Sequence, residues 1–549
     1  MRHGDVVALY PVSGPAGVAE ARRECAALVD ALGIDVAVGM GGWHAGLPEG
    51  VVSRAAVPEG CRGGRTVAAM RTFDVVVIGG GPAGEEVSAR VAGHGLSVAL
   101  VEDRLVGGEC AYWACLPSKG LLRPYEALAE ARRVPGAAEA VSGGLDVPAV
   151  LRRRDEIIND FDDAGPRGWV ESRGVAFIRG HGRLAGERRV VVGDQELEAR
   201  RAVVLAGGSV ASFPPIEGLD QVKGAWTNRE ATTAREIPQR LLIVGGGAVG
   251  VEMAQAFQTL GSQVTLVEGE RRLLPREEEF ACAQVTTALE RYGVDIRTGQ
   301  KAISFSQNGS TVTVTTAREQ GGVGESAERL AHGGTATVTA TEAATAVGDV
   351  LLVALGRKAP TSDLGVETVG LAPGETVDVD DHMRVPGTPW LYAVGDINGR
   401  ALFTHMGKYQ ARLAADCIVG NGAAIAHGAD GRLSPRVIFT DPQVAAVGHT
   451  TDTAAAAGLE VDVYDTETSG NLGGEFYGHN APGTTRFLVD RERRVLVGCT
   501  ITGSEVVDFL HAATIAVVGE VPLERLRHAV PPFPTRSELW LSLLEQAGV

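Results

Sequence analysis

Several things are scarce or missing in this 549-residue chain. No apolar run approaches the roughly 18 residues that a membrane helix needs. The opening residues, MRHGDVVALYPVSGPAG, lack the basic start and apolar core of a secretory leader. Cysteine is sparse and scattered, seven in all, which excludes the dense framework of a small secreted disulfide protein. Positive charge is in deficit, with a net charge of −17, so the phosphate backbone of a nucleic acid is repelled. A soluble, cytoplasmic protein with neither a membrane nor a nucleic-acid partner is expected.

Glycine, by contrast, is abundant and patterned. FDVVVIGGGPAGEEVSARVAGHGLSVALVE (Phe73 to Glu102) and RLLIVGGGAVGVEMAQAFQTLGSQVTLVE (Arg240 to Glu268) align almost without gaps. Each runs from β-branched residues through Gly-x-Gly-x-x-Gly into an amphipathic stretch, then a second apolar run closed by Glu. The glycines are Gly79, Gly81 and Gly84 in the first copy, and Gly245, Gly247 and Gly250 in the second. The acids Glu102 and Glu268 lie 18 positions beyond the last glycine in both. In such a unit the first glycine makes the tight turn and the second admits a pyrophosphate. The third lets helix and strand pack, and the acid meets an adenosine ribose. Two dinucleotide sites are expected.

Between the copies, GGECAYWACLPSK (Gly107 to Lys119) places Cys110 and Cys115 five residues apart. On a regular helix they would be separated by about 7.5 Å along the axis, beyond the ~7 Å Cα limit of a disulfide. A bridge therefore requires an irregular turn, with helix beginning near Cys115. A zinc site would need four ligands, and no second Cys pair or His cluster offers them. From the residues alone, a redox-active disulfide and a pair of inert thiols both remain open. LYAVGDINGR holds Asp396 after Gly395, either a helix cap or an acceptor for a flavin polyol. AVVLAGGS and VLLVALGRKAP read as buried strands ending in glycine turns, the latter at Gly356.

In this order the segments resemble the flavoprotein pyridine nucleotide-disulfide oxidoreductase family, whose members include glutathione, dihydrolipoamide and mercuric reductases. The likeness runs from about Arg71 to Val549 and takes in a C-terminal segment opening VIFTDPQVAAVG. It implies an α/β fold with two Rossmann-like domains, for FAD and NAD(P), followed by an α+β dimerisation domain. The implied order is an N-terminal extension over 1–70, a first FAD-binding segment over 71–226 and NAD(P) binding over 227–350. A second FAD-binding segment covers 351–431, and dimerisation 432–549. By resemblance the first fingerprint and Asp396 hold FAD, the second fingerprint holds the nicotinamide cofactor, and Gly356 lines the cofactor site. Reducing equivalents reach the Cys110–Cys115 disulfide at Cys115, releasing Cys110 to attack a small-molecule acceptor. Lys119 and Glu252 match a pair beside the flavin, Trp226-Thr227-Asn228 marks the crossing between domains, and a homodimer is expected. Glu268 favours NADH, since a carboxylate repels a 2′-phosphate, although Arg271 and Arg272 follow closely.

The chain departs from that pattern in several places. Disulfide-reducing members carry His-Pro-Thr-x-Ser-Glu near the C-terminus, and here the stretch is FPTRSE. Phe533 stands at the position of the acid–base histidine, Glu538 remains, and His528 cannot be brought into register. A loss of general acid–base help, worth about 10²–10⁴ in rate, points away from disulfides toward quinone-like or metal-ion acceptors. A reductase acting directly from the flavin is the alternative. A mercuric reductase would need a C-terminal cysteine pair, yet no cysteine follows Cys499. Between the cysteines, Tyr112 and Trp113 replace smaller residues, and Glu109 replaces Thr. A Gly/Ala/Thr-rich insertion is expected over Glu319 to Thr345.

Overall fold

The computed structural model describes residues 70–318 and 343–549, apart from 423, 427, 479, 480 and 482. The N-terminal extension and most of the expected insertion lie outside the described residues.

The first apolar run forms β1 (Arg71–Ile78), whose Val75, Val76 and Val77 are fully buried. Strands covered on both faces read as continuous Val/Ile/Leu runs, as this one does. Helix α1 (Pro82–Gly93) follows, then β2 (Val98–Glu102), short helix α2 (Gly108–Tyr112) and long helix α3 (Cys115–Arg133). Parallel pairing of β1 with β2 and of β2 with β3 (Val175–Arg179) builds one side of a seven-stranded sheet. On the other side β1 pairs parallel with β4 (Gln195–Leu205), which continues into two antiparallel strands.

The chain then leaves this sheet. Helix α4 (Asn228–Thr232) leads to β5 (Arg240–Val244), α5 (Ala248–Thr259) and β6 (Gln263–Val267). With β7 (Asp295–Arg297) and β8 (Val350–Val353) these form a four-stranded parallel sheet in the order β7-β6-β5-β8. Because β8 belongs to this second sheet, the return crossing comes after Val353, a few residues later than the expected boundary at 350. Ala343–Thr345, expected in the insertion, are the first residues of a strand paired with Thr315–Ala317. The last residues of the expected insertion are thus sheet, and the rest of it lies outside the described residues.

After the crossing, Leu391–Ala393 pairs parallel with β4 and so rejoins the first sheet, leading into α6 (Thr404–Val419). The C-terminal region is a five-stranded antiparallel sheet over residues 436–503, backed by apolar helices such as Leu539–Gln546. Two Rossmann-like units followed by an α+β domain match the expected fold class. No helix among the described residues is long and apolar enough to cross a membrane.

Candidate active site

The two glycine turns are built alike. Gly79 and Gly245 have φ of +107° and +111°, a region open to glycine. A side chain on Gly84 would meet the Gly79 carbonyl oxygen at 1.9 Å, and one on Gly250 would meet that of Gly245 at 1.8 Å. Helix and turn touch backbone to backbone there. The middle glycines differ: a Cβ on Gly81 would find nothing nearer than 4.0 Å, and one on Gly247 nothing within 4 Å. Each turn therefore pairs closed packing with one open face at a helix N-terminus, the cradle that a dinucleotide pyrophosphate requires.

The acids repeat this symmetry. Glu102 accepts from the Gly80 amide at 2.6 Å and the Arg104 amide at 2.7 Å. Glu268 accepts from the Gly246 amide at 2.5 Å and the Glu270 amide at 2.7 Å. Each oxygen keeps a second lone pair for a ribose hydroxyl. Burial pushes Glu102 up to about 7 against the pull of those two amides. Arg272 turns toward the carbonyls of Pro275 and Glu277 and toward Asp452, whereas Arg271 is exposed.

Asp396 is not the cap of α6, which begins eight residues later; it opens a single 3₁₀ turn. Its Oδ2 accepts from Ser209 Oγ at 2.5 Å, joining the AGGS turn to the Gly395–Asp396 turn beside the first cradle. Gly356 has φ +103°. Its neighbour Arg357 carries the contacts, donating to Ser209 Oγ and O at 2.7 Å each and to Asn228 Oδ1 at 3.0 Å.

Between Cys110 and Cys115 the helix breaks at Trp113 and Ala114 (φ −135° and −138°), and α3 begins at Cys115 itself. The break brings the two sulfurs together. The two are not bridged by a disulfide, and Thr404 at the start of α6 lies 3.5 Å from Cys115 Sγ. The neighbouring Cys110 thiol, with Thr404 and the Lys119 charge, draws the Cys115 thiol below the usual cysteine range. The Cys115 sulfur, with burial, drives Cys110 upward. Of the two, Cys115 is the sulfur drawn toward the thiolate.

One turn along α3, Lys119 Nζ lies 2.8 Å from Glu252 Oε2, and the Glu252 side chain is only 7% exposed. Glu252 Oε1 accepts from the Phe439 amide at 3.0 Å, and Lys119 sits 4.4 Å over the Phe439 ring. A buried carboxylate with a charged partner and a backbone donor is held in one place. The structure thus brings Cys110, Cys115, Lys119 and Glu252 into one site between the two cradles. Glu538 is elsewhere, half-buried at the start of the last helix, and Phe533 is 70% exposed. His528 is likewise exposed. Thr404, Ser209 and Arg357 were not singled out from the sequence, because ordinary polar residues announce nothing until the fold gathers them; Asn228 was named only as a marker of the crossing.

The sequence profile described as pyridine nucleotide-disulphide oxidoreductase matches residues 73–414, and that of the same family's dimerisation domain matches 434–543. Dihydrolipoyl dehydrogenase from Thermus scotoductus is 30% identical over 85% of this chain and 96% of its own length. Dihydrolipoyl dehydrogenase 3 from Pseudomonas aeruginosa is 29% identical, over 85% of this chain and 96% of its own. Among solved structures, the Cu(II) complex of the HOCl-induced flavoprotein disulfide reductase RclA from Escherichia coli superposes with a TM-score of 0.71. It shows 23% identity over 87% of this chain and 100% of its own, a likeness of fold.

Proposed function

Since this chain belongs to the pyridine nucleotide-disulphide oxidoreductase family of FAD- and NAD(P)-dependent enzymes, we propose that it oxidises NADH and delivers the electrons through the Cys110–Cys115 pair to a small non-disulfide acceptor. The observation that carries this reading is the Cys110–Cys115 turn held beside the Lys119–Glu252 ion pair, between two glycine cradles. FAD, when bound, supplies two-electron exchange between a nicotinamide and a disulfide.

The chain's own groups divide the remaining work. Gly79, Gly81, Gly84, Glu102, Ser209 and Asp396 would hold FAD, and Gly245, Gly247, Gly250 and Glu268 the nicotinamide cofactor. Lys119, fixed by Glu252, places a positive charge that favours the Cys115 thiolate. When the dithiol reduces a quinone, the S–S bond forms, two electrons leave the sulfurs, and two protons complete the hydroquinone. Disulfide reduction makes a different demand. Cys110 must lose its proton to attack, and the departing thiolate must gain one. A dihydrolipoyl substrate, as in the relatives' name, would need the same relay, and Phe533 has no proton to move. The dimerisation domain supports a homodimer.

Two results are expected from the cradle. Gly84→Ala, which drives a Cβ into backbone, should leave little soluble protein. Gly81→Ala should keep the wild-type Tm in its FAD-free form yet bind FAD at least about tenfold more weakly, as read by flavin fluorescence; unchanged affinity would remove Gly81 from the site. For the nicotinamide, kcat/KM should be higher with NADH than with NADPH, because the Glu268 carboxylate occupies the ribose edge and Arg272 is engaged elsewhere. Equal or better kcat/KM with NADPH would refute that preference. The reading as a whole is tested by steady-state NADH oxidation across a panel of disulfides, quinones and metal ions, with a non-disulfide acceptor expected to give the fastest turnover.

A further inference from the structure

Glu109 immediately precedes Cys110, and four groups from distant regions of the chain converge on it and on the turn it opens. Arg229 of α4 donates to Oε2 from Nε at 2.9 Å and from Nη2 at 2.5 Å. Asn228 Nδ2 donates to Oε1 at 2.8 Å and to the Trp113 carbonyl at 2.7 Å. Arg357 Nη2 lies 3.6 Å from Oε1. Trp113 is further held by the guanidinium of Arg229, 4.6 Å from its ring centroid, and by Thr232 Oγ1 at 3.1 Å from its carbonyl.

The placement of these partners matters more than their number. Asn228 and Arg229 begin the segment by which the chain enters the second sheet, and Arg357 ends the segment by which it returns. Both crossings are therefore anchored on the carboxylate that adjoins the redox turn. Through Arg357 and Ser209 the same network reaches Asp396. The carboxylate is 21% exposed and faces two arginines that are 28% and 21% exposed. Partly buried charges of this kind act on neighbours over several ångströms with little screening.

We propose that Glu109 is a positioning residue that fixes the turn between Cys110 and Cys115 to both interdomain crossings and offsets the two arginines that would otherwise act unopposed on the thiol pair. The other groups facing the pair are Lys119 on α3, Glu252 on α5 and Thr404 on α6. None of these touches Glu109, so its charge can be changed while they stay in place. This role rests on the redox function proposed for the pair, which electron uptake by the wild type tests separately.

The test is the pH profile of iodoacetamide alkylation of Cys110 and Cys115 in the reduced holoenzyme, with the modified residue located by mass spectrometry. Glu109→Gln keeps the shape and removes the charge, leaving the arginines uncompensated. The alkylation midpoint should fall by about one pH unit. Arg229→Gln removes the opposite charge and should raise the midpoint. Glu109→Asp retains the charge and should return it to near the wild-type value. A purely structural role would lower Tm in these variants without moving the midpoint in opposite directions. Unchanged midpoints, or shifts of the same sign in Glu109→Gln and Arg229→Gln, would overturn the proposal. Should Glu109→Gln fail to fold, the sign of the Arg229→Gln shift decides alone.

Discussion

Cys115→Ser is expected to lower NADH-driven acceptor reduction by at least about 10³-fold, the scale on which loss of a reacting nucleophile is felt. A hydroxyl in place of the sulfur cannot form the S–S bond, and its oxygen stays protonated at neutral pH. The Lys119–Glu252 pair and the glycine cradles are untouched by the change, so FAD content and Tm should stay close to those of the wild type. Cys110→Ser should be nearly as severe, for it removes the second sulfur without which no S–S bond can form. A Cys115→Ser enzyme that still reduces a quinone at more than a tenth of the wild-type rate would move the chemistry to the flavin and make the sulfurs auxiliary.

Phe533→His should work in the opposite direction for one class of acceptor. If the absence of an acid–base group keeps this chain from disulfides, an imidazole at 533 should raise reduction of a small disulfide about 10- to 100-fold, the lower end of what such help supplies or somewhat less, since the ring enters a site not built around it. Glu538 remains to orient the ring. The position is 70% exposed within one chain, so the substitution costs no core packing. Quinone reduction should change less than about twofold, since no thiolate departs. High wild-type turnover of glutathione disulfide or lipoamide would sink this account, and would mean that some other residue moves the proton.

The pH dependence carries a sign of its own. With the Cys115 thiol drawn below the usual cysteine range, its thiolate persists to lower pH than that of an ordinary cysteine and is lost on acidification. Turnover that depends on the thiolate should therefore fall on acidification, with a midpoint below that of an ordinary thiol, and Cys115→Ser should retain no such step.

Some of this was legible before any fold was known. The duplicated glycine turns were, because a tight turn, an open cradle and a helix–strand contact each demand glycine at a fixed offset. The Cys110–Cys115 spacing forced an irregular turn, and Trp113 and Ala114 provide it. Lys119 and Glu252 came from resemblance, since nothing local tells a lysine at 119 that its partner is at 252. The network of Glu109, Asn228, Arg229, Ser209 and Arg357 was illegible for that reason in stronger form. Its members lie far apart along the chain, and each is a common surface residue until two interdomain crossings bring them to one carboxylate. Which sheet the strands at Val350–Val353 and Ala343–Gly348 join was not legible, because apolar and small-residue runs do not mark their partners.

The central claim is that the two sulfurs store electrons alongside the flavin. Anaerobic titration of the purified holoenzyme with dithionite tests it most directly. The account predicts uptake of about four electrons per chain, two for the flavin and two for the disulfide, falling to about two in Cys115→Ser. Uptake of about two electrons by the wild type would contradict it, and would leave Cys110 and Cys115 as thiols that take no part in the transfer.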